Sequence, residues 1–134
     1  MISSNGQSIE PTPSAGSFVL VVEDDRPIRS ALKAGLELHG HTVVAVGNGL
    51  EALELLALRR PTLIVLDLMM PRMGGIALVQ ELQRRGLHPA IPLLILSGDH
   101  DGEQQATAIG AEGYLPKPLR LPTFLRRVAS LIGA

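Results

Sequence analysis

The sequence predicts an α/β domain built on a parallel sheet. Two patterns carry the prediction. Short apolar runs and amphipathic helical stretches alternate strictly through the chain, giving five βα units. The apolar runs also lack the in–out alternation of a half-solvated strand. Each therefore reads as buried on both faces, as strands are when crossover helices cover a parallel sheet. Right-handed crossovers leave few ways to wind such a sheet, and its ligands sit beyond the C-terminal ends of the strands.

FVLVV (18–22) is the first strand, running into Glu23-Asp24-Asp25. Asp25 reads as a helix N-cap and Pro27 suits the first helical turn. Ile28, Leu32 and Leu36 then form one apolar stripe, and Gly40 stops the helix. HTVVAV (41–46) is a second strand and GNG (47–49) a turn. LEALELLALRR (50–60) is a second helix, with Arg59 and Arg60 in the last turn, where the helix dipole favours cations. TLIVLDL (62–68) is a third strand. Pro71 and the Gly74-Gly75 pair separate it from a third helix, IALVQELQRRG (76–86). IPLLILSG (91–98), a polar helix over 101–110, GYLP (113–116) and TFLRRVASLI (123–132) complete the alternation. Phe124, Val128, Leu131 and Ile132 form the last helix's apolar stripe.

Composition bounds the function. A chain of 134 residues suits one domain; 46% of it is hydrophobic but only 2% aromatic, so the core must be aliphatic. The net charge of −1 supplies no basic field for nucleic acid. Without cysteine there are no disulfides or thiolate metal sites, which suits a reducing cytoplasm. Residues 1–16 read as a disordered leader lacking the basic start and apolar stretch of a secretory signal, ahead of a domain over 17–134. No apolar run approaches the roughly 20 residues of a membrane span.

The polar residues left over converge. Strand one ends in Glu23 and Asp24, strand three in Asp67, strand four in Ser97, and Lys117 follows strand five. All share one rim of a parallel sheet. Two carboxylates about 4 Å apart repel by roughly 4 kcal/mol at an effective dielectric near 20. Three of them require cations. Lys117 is one; an all-oxygen donor set points to Mg²⁺ or Mn²⁺ for the rest. Asp67 then reads as a nucleophile able to form an aspartyl phosphate, with charge balanced by Lys117 and the metal and with Ser97 as a hydrogen-bond partner. His39, His41, His88 and His100 are scattered, lack metal spacing and read as surface residues. Met69, Met70 and Met73 read as packing or loop contacts.

At these residues the sequence closely resembles the receiver domain of two-component response regulators. VLVVEDDRPIR, LIVLDLMMPRMGG, LLILSG and GAEGYLPKP occur in the family's order and spacing, from about Phe18 to Leu131. The resemblance implies a doubly wound five-stranded parallel sheet in the order 2-1-3-4-5 flanked by five helices, a flavodoxin-like, CheY-like fold. It makes Asp67 the phosphoacceptor, and Asp24, Glu23, Asp67 and the Met69 backbone carbonyl the metal site. It makes Ser97 the switch hydroxyl, Lys117 the phosphoryl-binding cation, Tyr114 the switch aromatic and Lys117–Pro118 a cis peptide. It implies a histidine kinase or histidine phosphotransfer protein as donor, and a downstream protein or output domain. The face of helix 4, strand 5 and helix 5 would change affinity and could pair two copies. The resemblance also implies a cytoplasmic switch, not a turnover enzyme. Glu23 for the more usual aspartate, Gly74 for Asp or Asn, and Leu119 for an aromatic depart from the family pattern. Pro116 lacks a ladder donor and suits an edge strand, where the family order puts strand five.

Two rival functions remain at this stage. A phosphatase of the haloacid-dehalogenase type would need a second acid two residues after Asp67, where Met69 stands. A receiver-like module that binds proteins without phosphorylation is the other.

Overall fold

The computed structural model describes residues 17–70 and 72–133. The expected leader, residues 1–16, lies outside the described residues. Five strands, β1 (Val19–Val22), β2 (Val43–Val46), β3 (Leu63–Asp67), β4 (Leu93–Ser97) and β5 (Gly113–Pro116), form one sheet in the order β2-β1-β3-β4-β5. Every pairing is parallel. The helices between them are α1 (Arg26–Leu38), α2 (Gly49–Leu56), α3 (Gly75–Arg84), α4 (Gly102–Ala108) and α5 (Leu121–Ile132).

The sheet divides the core into two aliphatic layers. Leu32 and Leu36 of α1 pack with Phe124 and Val128 of α5 on one face. Ala52, Leu78, Val79, Leu82 and Ala106, from α2, α3 and α4, cover the other. All residues of β1, β3 and β4 are buried, as their unbroken apolar runs require. Fully burying one such side chain contributes about 1.5–3 kcal/mol.

Local signals place most boundaries. Asp25 caps α1 by accepting from the Ile28 N–H at 2.9 Å, and Gly40 turns the chain at φ +90°. Asn48 caps α2 through the Glu51 N–H at 2.9 Å. The second helix is shorter than its composition suggested. It ends at Leu56, so Arg59 and Arg60 lie beyond the turn at 57–58, not in the helix. Pro61 disfavours helical backbone at Arg60. The Arg59 guanidinium instead stacks over the Phe18 ring, 4.1 Å from its centroid. The last helix begins earlier than expected, at Leu121, because Pro122 is accommodated in its first turn.

The Gly74-Gly75 pair does more than break the chain. A side chain at Gly75 would put its Cβ 2.6 Å from Leu68 Cα and 2.9 Å from the Asp67 carbonyl. Glycine is what lets α3 begin against the end of β3. At the sheet's outer edge, the Lys117 N–H donates to the Ser97 carbonyl. By the alternation of a parallel ladder, the position of Pro116 then faces away from β4, where no donor is needed.

Candidate functional site

Glu23, Asp24, Asp67 and Lys117 line one cleft where the chain leaves β1, β3 and β5, and Ser97 ends β4 beside it without lining the cleft. Glu23 and Asp67 are buried while Asp24 is exposed at the rim, and their carboxylate oxygens lie within 4.8 Å of one another. Lys117 Nζ reaches Glu23 Oε1 at 2.7 Å and Asp67 Oδ2 at 3.2 Å. One ammonium therefore bridges two buried carboxylates from different strands.

Backbone groups fix the carboxylates. Asp67 Oδ1 accepts from the Met69 N–H at 3.1 Å, and Glu23 Oε2 accepts from the Asp25 N–H at 3.2 Å. Arg29 Nη1 donates to the carbonyls of Glu23 at 2.8 Å and Asp24 at 3.4 Å, pinning the β1–α1 turn. Glu23 Oε1 is different. Its contact with Lys117 is an ion pair without hydrogen-bond alignment, and this buried atom has no hydrogen-bond donor among the described residues.

The electrostatics follow from burial. Desolvation pushes the Glu23 carboxyl up from 4.5 to about 7; the Lys117 contact opposes this and Asp67 reinforces it. Burial would depress the Lys117 ammonium, but Glu23 and Asp67 outweigh that and hold it above 10.5. Three carboxylates against one ammonium leave a deficit of positive charge. The donor set fits a hard divalent cation: oxygens only, close together, with the buried Glu23 Oε1 held by the Lys117 ion pair but by no aligned hydrogen-bond donor.

The other predicted residues fall around this centre. Met69 lines the same cleft, with its side chain 60% exposed. Ser97 is buried, and its Oγ accepts from the Asp99 N–H at 3.1 Å. Tyr114 is half-buried, with its hydroxyl directed in toward Ser97. A Cβ at Gly102 would meet Ser97 Oγ and Tyr114 Oη, both at 2.9 Å. The Lys117–Pro118 peptide is cis.

Two features escaped the sequence. Asp99 lines the cleft together with Gly98 and Ile28. It follows β4 directly, so the strand-end rule that selected Ser97 could have found it. His88 is buried, not a surface residue. Its Nε2 contacts Glu112 Oε1 and its Nδ1 contacts Gln83 Nε2, both at 3.2 Å. Those partners come from other elements, which no local pattern reveals.

Comparison with known proteins places this geometry. The response regulator receiver domain family matches residues 19–129. Response regulator MprA of Mycobacterium ulcerans is 38% identical over 116 residues, covering 85% of this chain and 49% of that protein. MprA of Mycobacterium tuberculosis H37Rv is 37% identical over 116 residues. The chain thus spans about half the length of the curated relatives it matches. Among solved structures, the receiver domain of the Francisella response regulator 1452 aligns with a TM-score of 0.79 at 30% identity, covering 88% of this chain and 97% of that one. A receiver domain of a Syntrophus aciditrophicus histidine kinase aligns with a TM-score of 0.79 at 33% identity, covering 89% and 91%. No helix among the described residues is long and apolar enough to cross a membrane.

Proposed function

Because this chain belongs to the response regulator receiver family of two-component systems, we propose that it is a phosphoacceptor switch whose nucleophile is Asp67. The observation that carries the reading is the bridging of two buried carboxylates by Lys117 at the ends of three strands. A carboxylate held there lies against the Lys117 ammonium, is fixed by the Met69 N–H and is approachable through an open cleft.

The donor is a phosphohistidine on a histidine kinase or histidine phosphotransfer protein. An Asp67 carboxylate oxygen attacks phosphorus. The P–N bond breaks, its electron pair stays with the imidazole, and an acyl phosphate P–O bond forms. Lys117 pairs with the phosphoryl oxygens, and Ser97 Oγ turns from the Asp99 N–H to donate to one of them. Glu23, Asp24, Asp67 and the Met69 carbonyl would hold Mg²⁺ or Mn²⁺. When bound, that ion neutralises charge on the phosphoryl group. Arg29 and the Asp25 N–H keep the β1 carboxylates in place throughout.

The acyl phosphate carries about −1.5 to −2 charge beside Ser97, where the carboxylate carried −1. Release of Ser97 from Asp99 frees the β4–α4 loop, and Tyr114 and the α4–β5–α5 face respond. That face then changes its affinity for a downstream protein, an output domain or a second copy. Water hydrolyses the acyl phosphate later. The domain is a switch that works in the cytoplasm, not a turnover enzyme.

Intact mass after incubation with acetyl phosphate tests this. A single phosphoryl adduct that requires Mg²⁺ and is lost in Asp67→Asn is expected. A persistent adduct in Asp67→Asn would overturn the assignment. No adduct from any donor, phosphohistidine included, would favour a module that binds without phosphorylation.

A further inference from the structure

At the end of α4 remote from Ser97, four segments meet through side chains. Gln83 Nε2, on α3, donates to the Ile109 carbonyl at the C-cap of α4, at 3.1 Å. The same amide nitrogen lies 3.2 Å from His88 Nδ1. A carbonyl accepts only from a donor, so the Ile109 contact fixes Gln83 with its NH₂ towards both groups. His88 Nδ1 must then be the acceptor. The ring proton sits on Nε2 and is donated to Glu112 Oε1 at 3.2 Å. Glu112 Oε1 also accepts from the Leu93 N–H, the first residue of β4, at 2.8 Å. One proton arrangement satisfies all of these contacts. Such a network holds its elements in one relative position.

The other end of α4 rests on the switch. Gly102 opens the helix, and without a side chain it lies against Ser97 and the Tyr114 hydroxyl. At seven residues, α4 is only about 10 Å long. A shift at one end is therefore felt at the other.

We propose that Gln83, His88 and Glu112 form a clamp on the C-terminal end of α4, and that His88 and Gln83 are positioning residues that keep Tyr114 turned in beside Ser97. The clamp works in the unphosphorylated protein. Its regulatory consequence, a fixed pivot for α4 when Ser97 turns, rests on the reading of Asp67 above.

Tyr114 is the sole tyrosine and the chain has no tryptophan, so its fluorescence reports its position without interference. Acrylamide quenching on the unphosphorylated protein tests the clamp. Gln83 is exposed, so its variants should fold, as far-UV circular dichroism would check. Gln83→Leu removes both donors, and Gln83→Glu removes them at constant shape. In both, the quenching constant should rise about twofold, as for a Tyr114 that spends more time outward. Gln80→Leu, exposed on the same helix, should leave it unchanged. Quenching unchanged in the Gln83 variants, or raised equally in Gln80→Leu, would overturn the proposal. Rescue by size alone, with Gln83→Glu behaving as wild type, would overturn it too. None of these readings depends on phosphorylation. A missing adduct in the wild type therefore counts against Asp67 and not against the clamp.

Discussion

Lys117→Met removes the one ammonium among the buried carboxylates, and its cost can be worked from the geometry. At an effective dielectric near 20, separations of 2.7 Å from Glu23 and 3.2 Å from Asp67 correspond to attractions of roughly 6 and 5 kcal/mol. Desolvation of the ammonium offsets much of this. Loss of one partner from a buried pair typically costs 3–5 kcal/mol, and the Lys117 side chain retains 19% exposure. The lower end, about 3 kcal/mol, is therefore expected at pH 8 without metal. The loss should depend on pH. The native Glu23 carboxyl already sits near 7, above its ordinary 4.5. The native state thus binds a proton that the unfolded chain has released, and wild-type stability falls as pH rises from 4.5 to about 7. Without Lys117 the carboxyl moves higher still. At pH 6 it is protonated in the variant, which removes one of the repelling charges. Urea denaturation in EDTA at pH 6 and pH 8 measures both quantities. About half the pH 8 loss is expected at pH 6, with an unchanged m-value. A loss below about 1 kcal/mol at pH 8 would refute the reasoning. So would a loss that is larger at pH 6.

Two further perturbations probe the frame around the site. Gly75→Ala drives a Cβ to 2.6 Å from the Leu68 Cα, a backbone atom that cannot swing aside. Urea titration should show a loss of about 3 kcal/mol, with Asp67 displaced and phosphorylation slowed, despite alanine's better helix propensity. Glu81, held down near 2 by Arg84 and Arg85, supports α3 above pH 4.5 and loses that support as the pH falls towards 2. The group is on the surface, so Glu81→Gln should flatten a small acid-side slope in thermal stability that added salt also flattens.

The fold and the charged centre were both legible because they depend on local order. Strict βα alternation fixes which strand ends share a rim, so Glu23, Asp24, Asp67, Ser97 and Lys117 could be grouped without knowing the strand order. The order itself came from the family resemblance, and the sheet agrees with it. What was not legible depends on contacts between distant segments. Buried His88 contacts Glu112, 24 residues away, and no spacing rule reaches that far. The end of α2 misled because leucine-rich composition continues to Leu58 while the helix stops at Leu56. There Pro61 and the stacking of Arg59 on Phe18 overrode propensity. Gly75 was visible only as a breaker, since the close approach it permits involves the backbone of β3 in space.

Pro116 has a consequence for how this protein can assemble. A free sheet edge is a template on which another chain can zip, hydrogen bond by hydrogen bond, with little regard for its sequence. On β5 the outward position nearest the site carries no N–H, so that template is interrupted within a four-residue strand. An indiscriminate backbone partner gains little there. Side chains on this edge therefore carry more of any recognition than an unbroken strand edge would leave to them. A proline at the margin of the sheet thus removes a main-chain donor from the edge that an unrelated chain would otherwise use.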